Sequence, residues 1–217
     1  MQSVHNTGKS DPPPVHPWQQ WTLSVLAAEA AENILHVGCG RGDLTRSISS
    51  HIPVHAELVG VDNSFELLHQ AEELTRSRRE RRIQWIMGNW DHILYPDQSF
   101  DRIVMEFVLN TTASWPLVLF ELRRLMRPGG RIILLTHGPH DTLLSKISHR
   151  LWHWSESYRR FTGLPARPMC QSHPTSAEIA RTLSPEFSLL DSHQWLGGFV
   201  EGLLLEHRSS HISEVVQ

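Results

Sequence analysis

The sequence predicts an α/β fold in which helices cover both faces of a doubly wound, mostly parallel β-sheet. Short apolar runs alternate with segments of helical periodicity between residues 34 and 135, and this alternation is typical of parallel strands joined by helices. The first apolar run leads directly into a glycine-rich turn at residues 38–42. Two further strand-like runs near the end of the chain are joined by Gly197-Gly198, which indicates a hairpin and therefore an antiparallel edge.

Seven strands and their connecting helices can be placed along the chain from these patterns. Asn63 followed by Glu66 has the spacing of a helix start. Further along the chain, Pro128-Gly129-Gly130 ends the helix predicted over 113–126. The predicted strands cover 34–37, 58–61, 83–87, 102–105, 131–135, 187–195 and 199–206, and the predicted helices cover 18–31, 44–50, a stretch from Asn63, 113–126, 141–161 and a short segment after Thr175.

The organisation of the chain predicts one domain with an appended arm and tail. With 217 residues, of which 40% are hydrophobic, the chain can bury one sizeable core. Residues 1–17 contain several prolines and little apolar content, so we expect a flexible N-terminal arm. Residues 18–207 form the predicted domain, with an inserted lid at about 138–174, and 208–217 form a tail.

Composition excludes several classes of protein. No stretch approaches the roughly 20 uncharged apolar residues that a membrane helix needs, and the N-terminus lacks the apolar core of a signal peptide, so we expect a cytoplasmic protein without a membrane span. The two cysteines, Cys39 and Cys170, make neither a disulfide framework nor a common zinc spacing. The fifteen histidines are scattered, so no metal site is predicted, and the net charge of -3 disfavours a nucleic-acid partner.

The glycine-rich turn and an acidic residue downstream of it indicate a nucleoside site. The turn follows a strand and precedes a helix, and Asp62 lies about 20 residues beyond it, where an acid can accept hydrogen bonds from ribose hydroxyls. The glycines fall at 38, 40 and 42, which is not the GxGxxG pattern of dinucleotide sites, and Asp43 places a negative charge where a pyrophosphate would sit. A P-loop sequence is absent.

These motifs resemble the class I S-adenosylmethionine-dependent methyltransferases. The resemblance spans about residues 33–136 and is nearest to the small quinone-pathway C-methyltransferases. Its motifs are the turn at 38–42, Asp62, Gly88-Asn89-Trp90, Phe100-Asp101 and Arg127-Pro128-Gly129-Gly130. The resemblance implies a Rossmann-like seven-stranded sheet, S-adenosyl-L-methionine as the cofactor, and in-line transfer of its methyl group to a small-molecule acceptor.

The resemblance also implies which residues contact the cofactor. Gly38, Gly40 and the intervening Cys39 should face the methionine half, and Asp62 the ribose. Asn63 should lie beside the adenine, Asn89 should hydrogen-bond the adenine amino group, and Trp90 should pack on the ring.

Two residues depart from the family pattern. The family has an acidic residue two positions before the first glycine, where this chain has His36. His36 is either a direct cofactor contact or a buried strand residue whose ring is satisfied locally. Glu106 follows the fourth strand, so it is expected where the acceptor or the methionine moiety lies.

A general base is needed only when the attacking atom must lose a proton. His137, which follows the fifth strand, is the preferred candidate because an unperturbed histidine titrates near neutral pH. Glu106 is the second candidate, and His140 and Tyr158 are weaker ones. For both preferred residues the alternative is a structural role, as a surface histidine and as a helix-capping or salt-bridged acid.

The acceptor itself is only outlined by the sequence. Tryptophan clusters at residues 18 and 21 and at 152 and 154 are compatible with an aromatic acceptor or with ordinary core packing, and arginines at 150, 159 and 160 with an acidic acceptor or a charged surface. Two alternatives stay open: an RNA or protein methyltransferase, and a catalytically inactive methyltransferase-like binding subunit. No pattern specifies an oligomeric state.

Overall fold

A computed structural model of the chain describes residues 16–78, 83–138, 143–144, 146–148, 150–151, 174–184 and 186–209. The five helices discussed below are α1 (Pro17–Val25), α2 (Asp43–Ser49), α3 (Phe65–Arg78), α4 (Trp115–Leu125) and α5 (Ser176–Leu183). The strands are β1 (Asn33–Val37), β2 (Glu57–Asp62), β3 (Ile83–Met87), β4 (Phe100–Glu106), β5 (Met126–His137), β6 (Phe187–Trp195) and β7 (Val200–His207).

The seven strands form one sheet in the order β3-β2-β1-β4-β5-β7-β6. The pairs from β3 across to β5 are parallel, and β7 is antiparallel to both β5 and β6. The predicted fold class is confirmed, including the terminal hairpin.

The chain direction reverses beside β1, because it runs outward through β2 and β3 and then returns to add β4 on the other side of β1. In parallel sheets such a reversal opens a crevice at the carboxyl ends of the two central strands, and ligands bind there. The register places His36 opposite Val104 and Val37 opposite Met105. The glycine-rich turn after β1 therefore lies next to the end of β4.

Alternation along the strands gives the sheet two buried faces. Leu35 and Met105 belong to the core under α4 and α5, whereas Ile34 and Val104 belong to the core that includes α2 and is flanked by α1. Because side chains two residues apart in a strand share a face, His36 and Glu106 both lie on the α1 and α2 side of the sheet.

Three predicted boundaries are corrected by the structure. The single helix expected over 18–31 is split: α1 ends at Val25, Ala27 has φ +48°, and a separate 3₁₀ turn spans Ala28–Ala30. A left-handed residue cannot continue an α-helix, so the break follows from that one dihedral.

The other two corrections concern a helix start and a strand start. The backbone N–H of Leu67 donates to Ser64 Oγ at 3.3 Å, so Ser64 and not Asn63 supplies the side-chain cap of α3. Strand β5 begins at Met126 and includes Pro128-Gly129-Gly130, whereas the sequence predicts a strand that starts only at residue 131. The register with β4 shifts there, and a Cβ on Gly130 would lie 2.9 Å from the carbonyl oxygen of Asp101.

The end of the sequence is folded as expected where it is described. Thr175 caps α5 by accepting from the backbone N–H of Glu178 at 3.2 Å. The predicted arm up to residue 15, most of the lid at 138–174, most of the 141–161 helix and residues 210–217 of the tail lie outside the described residues. Within the 141–161 segment, the described residues 143–144, 146–148 and 150–151 are helical. Within the described part of the chain, no helix is long and apolar enough to cross a membrane.

Candidate active site

The glycine-rich turn leaves open space above it while packing closely against β4 below. All three glycines have positive φ, at 76°, 53° and 79° for Gly38, Gly40 and Gly42. A Cβ on Gly38 would lie 2.4 Å from Val108 Cγ2 and 2.9 Å from the Glu106 carbonyl oxygen. A Cβ on Gly40 would meet nothing within 4 Å. The turn therefore presents a backbone surface at Gly40 that a ligand can approach.

Asp62 connects this turn to the start of α3. Its side chain is buried, with one carboxylate oxygen accepting from Gly40 N at 2.8 Å and the other from Ser64 N at 2.9 Å. A carboxylate has about four acceptor positions, so two bonds leave it able to accept from further hydroxyl groups. The structure brings together the turn and the acid that the sequence assigned to one site.

A cavity of about 290 Å³ adjoins this end of β2. Its lining residues are Asn63, Asn89, Trp90, Asp91, Thr111, Thr112 and Val118. The three residues predicted to surround an adenine therefore line one cavity. Trp90 Nε1 is a buried donor with no hydrogen-bond partner among the described residues, and buried donors in native proteins normally have one. Its volume is near the lower end of the range that is typical of small-molecule sites.

His36 lies beneath the turn and is fully buried. Its Nδ1 is 2.7 Å from Thr45 Oγ1 of α2, and its Nε2 is 3.9 Å from Glu106 Oε2. Burial lowers the pKa of His36 to about 3. Glu106 favours the charged ring, but its carboxylate is partly solvated and too distant for a hydrogen bond. The imidazole is therefore neutral at physiological pH, and its contact with Glu106 is not an ion pair.

Glu106 ends β4 at the mouth of the site, with its side chain 16% exposed. Its Oε1 accepts from Gln19 Nε2 of α1 at 3.1 Å. The next residue, Phe107, has φ +55°, which is a costly conformation for an aromatic residue and is typical of functional sites. Its N–H donates to the Leu135 carbonyl oxygen at 2.8 Å, which helps to hold it there.

His137 ends β5 and is buried, not placed on the surface. Its ring is 4.8 Å from the ring of Phe107, with planes 25° apart, and 4.7 Å from the ring of Phe199. Its backbone N–H donates to Asn110 Oδ1 at 2.9 Å, and its Nδ1 lies 3.3 Å from the Phe199 carbonyl oxygen. The other two base candidates, His140 and Tyr158, lie outside the described residues.

The Cys39 side chain lies under the turn. It is buried, and a Cβ on Gly60 would be 3.1 Å from its Sγ. Burial, followed by the charge of Asp62, raises the pKa of the thiol. The thiol is therefore not exposed at the site. In the described part of the chain, no group of three His, Cys, Asp or Glu residues is arranged to hold a metal ion.

Several residues at this site are missed by sequence reasoning. Thr111 and Thr112 line the cavity, and Asn110 Oδ1 accepts from both Thr136 Oγ1 and the backbone of His137. The sequence feature that could have identified them is the polar run Asn110-Thr111-Thr112 immediately after β4, at the carboxyl ends of the strands, where ligands bind. Gln19 carried no such signal, because only the folded chain brings α1 to Glu106.

A second cavity of about 550 Å³ lies at the opposite end of the parallel strands. Its lining includes Met126 at the start of β5 and His207 at the end of the antiparallel β7. It is larger, but it is at the amino ends of the parallel strands, away from the turn and Asp62. The candidate active site is therefore the smaller cavity together with the turn.

The sheet order, the reversal beside β1 and the turn paired with Asp62 define the class I methyltransferase type of nucleoside-binding fold. Residues 15–157 match the ubiE/COQ5 methyltransferase family, and the chain belongs to that family. The family predicted from the sequence motifs is confirmed.

The chain is also similar to individual methyltransferases. The chain is 28% identical over 118 residues to a demethylmenaquinone methyltransferase of Geobacillus sp. (strain WCH70), covering 54% of this chain and 50% of that protein. It is 27% identical over 193 residues to a 2-phytyl-1,4-naphtoquinone methyltransferase of Thermosynechococcus vestitus, covering 85% of each. The chain spans about half the length of the demethylmenaquinone methyltransferases that it matches.

The fold is also shared with solved structures. A SAM-dependent methyltransferase from Aquifex aeolicus superposes with a TM-score of 0.64 at 15% sequence identity, covering 87% of this chain and 89% of that one. At this identity the likeness concerns the fold.

Proposed function

We propose that this chain transfers a methyl group from S-adenosyl-L-methionine to a small-molecule acceptor of quinone type by in-line displacement. The observation that carries the proposal is the shared cavity of Asn63, Asn89 and Trp90 next to Asp62 and the open face of Gly40. These groups fit the cofactor: an acceptor for ribose hydroxyls, a flat ring and amides for a base, and exposed backbone for the remainder.

Each part of the site has a distinct binding role in this proposal. Asp62 accepts hydrogen bonds from the ribose hydroxyls, and Asn89 and Trp90 hold the adenine with Asn63 beside it. The backbone from Gly38 through Cys39 to Gly40 faces the methionine half. Trp90 Nε1, a buried donor without a hydrogen-bond partner in the described part of the chain, supports a polar ligand group beside it.

S-adenosylmethionine, when bound, supplies a methyl group activated by its sulfonium. The protein then has to place the acceptor in line and exclude water, and positioning of this kind can contribute about 7 to 11 kcal/mol. An aromatic group on the α1 side supports a flat acceptor: Trp18 lies edge-on to Phe107 at 6.1 Å, and Phe107 stacks on His137.

His137 is the group that we propose to take a proton from the acceptor, and Glu106 is the alternative candidate where it does not hold the cofactor. Both lie at strand ends on the α1 side of the sheet, and they flank Phe107. The aromatic contacts fix the ring of His137, and Gln19 fixes one oxygen of Glu106. A base held in place in this way contributes roughly 100- to 10,000-fold when the attacking atom is protonated.

The quinone-type acceptor is proposed from the relatives, which are named for demethylmenaquinone and 2-phytyl-1,4-naphthoquinone. These names disfavour the RNA or protein methyltransferase alternative. An acidic acceptor stays a prediction, because Arg159 and Arg160 lie outside the described residues. The cytoplasmic location likewise stays a prediction.

The test is methyl transfer from radiolabelled S-adenosylmethionine to a reduced demethylated naphthoquinone, with the oxidised quinone as the control acceptor. We expect label in the reduced compound, because the quinol carries the electron-rich ring carbon that attacks the methyl group. Binding of S-adenosylhomocysteine without transfer to any quinol would contradict the proposed acceptor class. Absence of both binding and transfer would contradict the proposed function as a whole.

A further inference from the structure

We propose that Glu106 on β4, and not a residue on β1, supplies the carboxylate that binds the ammonium group at the amino-acid end of the cofactor. The inference rests on the proposed function and concerns how this chain differs from the family pattern. The acid expected two positions before the first glycine has been exchanged for an acid on the neighbouring strand.

The register of the sheet brings the two positions together. His36 is paired with Val104 of β4, and Glu106 lies two residues further along on the same face. The separation between His36 Nε2 and Glu106 Oε2 is 3.9 Å. The carboxylate of Glu106 therefore lies directly beside the place that an acidic side chain at position 36 would occupy.

His36 cannot itself replace the acid. It is fully buried and neutral, and Thr45 occupies its Nδ1 side. The tautomer with its hydrogen on Nε2 complements the facing carboxylate, because an ionised carboxylate only accepts hydrogen bonds. In that state the ring offers a donor toward the site and no acceptor, whereas an ammonium group needs an acceptor. The acceptor for the ammonium group therefore has to come from Glu106 and not from His36.

Glu106 is placed to reach the cofactor. Its side chain is partly exposed at the end of β4, and its backbone carbonyl is so close to Gly38 that an added Cβ would lie 2.9 Å away. This is the part of the turn assigned to the methionine half. Gln19 orients the Glu106 carboxylate. The Oε1 of Gln19 accepts from His16 N at 3.2 Å, so the Nε2 of Gln19 is the atom that donates to Glu106.

The exchange also explains why position 36 is a histidine here. An aspartate at 36 would place a second carboxylate beside Glu106 in a buried environment, and two like charges at such a separation cannot both ionise without cost. A neutral ring avoids that repulsion. One acid, on either strand, is compatible with the site.

The test is calorimetric binding of two ligands to the full chain. S-adenosylhomocysteine carries the amino-acid end, and 5′-methylthioadenosine lacks it. For Glu106→Gln we expect about 10- to 100-fold weaker binding of S-adenosylhomocysteine, the size of a lost charged hydrogen bond, and unchanged binding of 5′-methylthioadenosine. Glu57→Gln, at an exposed residue at the start of β2, is the matched control and should bind both ligands like the wild type.

A second variant tests the exchange directly. The double variant His36→Asp with Glu106→Gln restores a single acid on β1, and we expect it to recover S-adenosylhomocysteine affinity relative to Glu106→Gln alone. Equal affinity of wild type and Glu106→Gln would overturn the inference, as would equal weakening of both ligands or no recovery in the double variant. If the wild type bound neither ligand, the proposed function would fail before this inference was reached.

Discussion

Gly38→Ala should mainly lower the stability of the fold, whereas Gly40→Ala should mainly weaken cofactor binding, although the two glycines are two positions apart in one turn. Both glycines have φ in the left-handed region, so each alanine costs about 1 to 2 kcal/mol of backbone strain. At Gly38 the new methyl group would also collide with Val108 Cγ2 at 2.4 Å and the Glu106 carbonyl at 2.9 Å. Such overpacking adds about 1 to 3 kcal/mol.

Gly38→Ala should therefore lose about 2 to 5 kcal/mol of unfolding free energy, a large part of the 5 to 15 kcal/mol of a typical domain. Gly40→Ala should lose only the backbone contribution, or a few degrees in melting temperature for a chain of this length. Its methyl group projects into open space, which is the space assigned to the cofactor. We expect its S-adenosylhomocysteine affinity to fall at least about tenfold, comparable to 1.4 kcal/mol.

The assays are urea unfolding and calorimetric titration on the same preparations. Gly60→Ala provides a control for packing alone, because a Cβ there would press on the Trp85 ring at 2.7 Å without a positive φ. If Gly40→Ala bound S-adenosylhomocysteine as tightly as the wild type, the open side of the turn would not be the cofactor side.

Three further outcomes follow from the structure. His137→Ala should reduce kcat by about 100-fold or more while S-adenosylhomocysteine affinity stays within twofold by calorimetry; unchanged turnover would remove His137 from the mechanism. The unfolding free energy should fall as pH drops from about 6.5 toward 3, because His36 is protonated in the unfolded chain but stays neutral in the folded chain, where burial lowers its pKa to about 3. A His36→Gln variant with the same dependence of unfolding free energy on pH in urea titrations would contradict this. Leu122→Ala, at a fully buried position of α4, should cost about 2 to 5 kcal/mol with unchanged ligand affinity in the folded protein, and a smaller loss would show that α4 does not anchor the core.

The sheet was predictable because its signals are local. The apolar runs at 34–37 and 83–87 are short, bounded by turn residues and matched by the observed strands. Asp62 and the turn were also predictable as one site, because parallel strands bring their carboxyl ends to the same edge. The break at Ala27 was not, because nothing in its residue type requires a positive φ.

The mouth of the site depends on contacts between distant parts of the chain. Gln19 reaches Glu106 across 87 positions, and Asn110 joins His137 across 27. His36 shows the same limit: its residue type is compatible with a cofactor contact or with a buried role, and its complete burial in the fold is what keeps the ring neutral. Sequence reasoning could name the strand ends but not which side chains meet there.

Whether the turn and Asp62 bind an adenosyl group is tested most directly by calorimetry with S-adenosylhomocysteine and with NAD, on the wild-type chain and on Asp62→Asn. We expect the wild type to bind S-adenosylhomocysteine and not NAD, because the turn and the Asp62 carboxylate suit a nucleoside without a diphosphate. Asp62→Asn should weaken S-adenosylhomocysteine binding about tenfold or more through the lost acceptor for the ribose hydroxyls. Tight binding of NAD, or undiminished S-adenosylhomocysteine affinity in Asp62→Asn, would contradict this expectation.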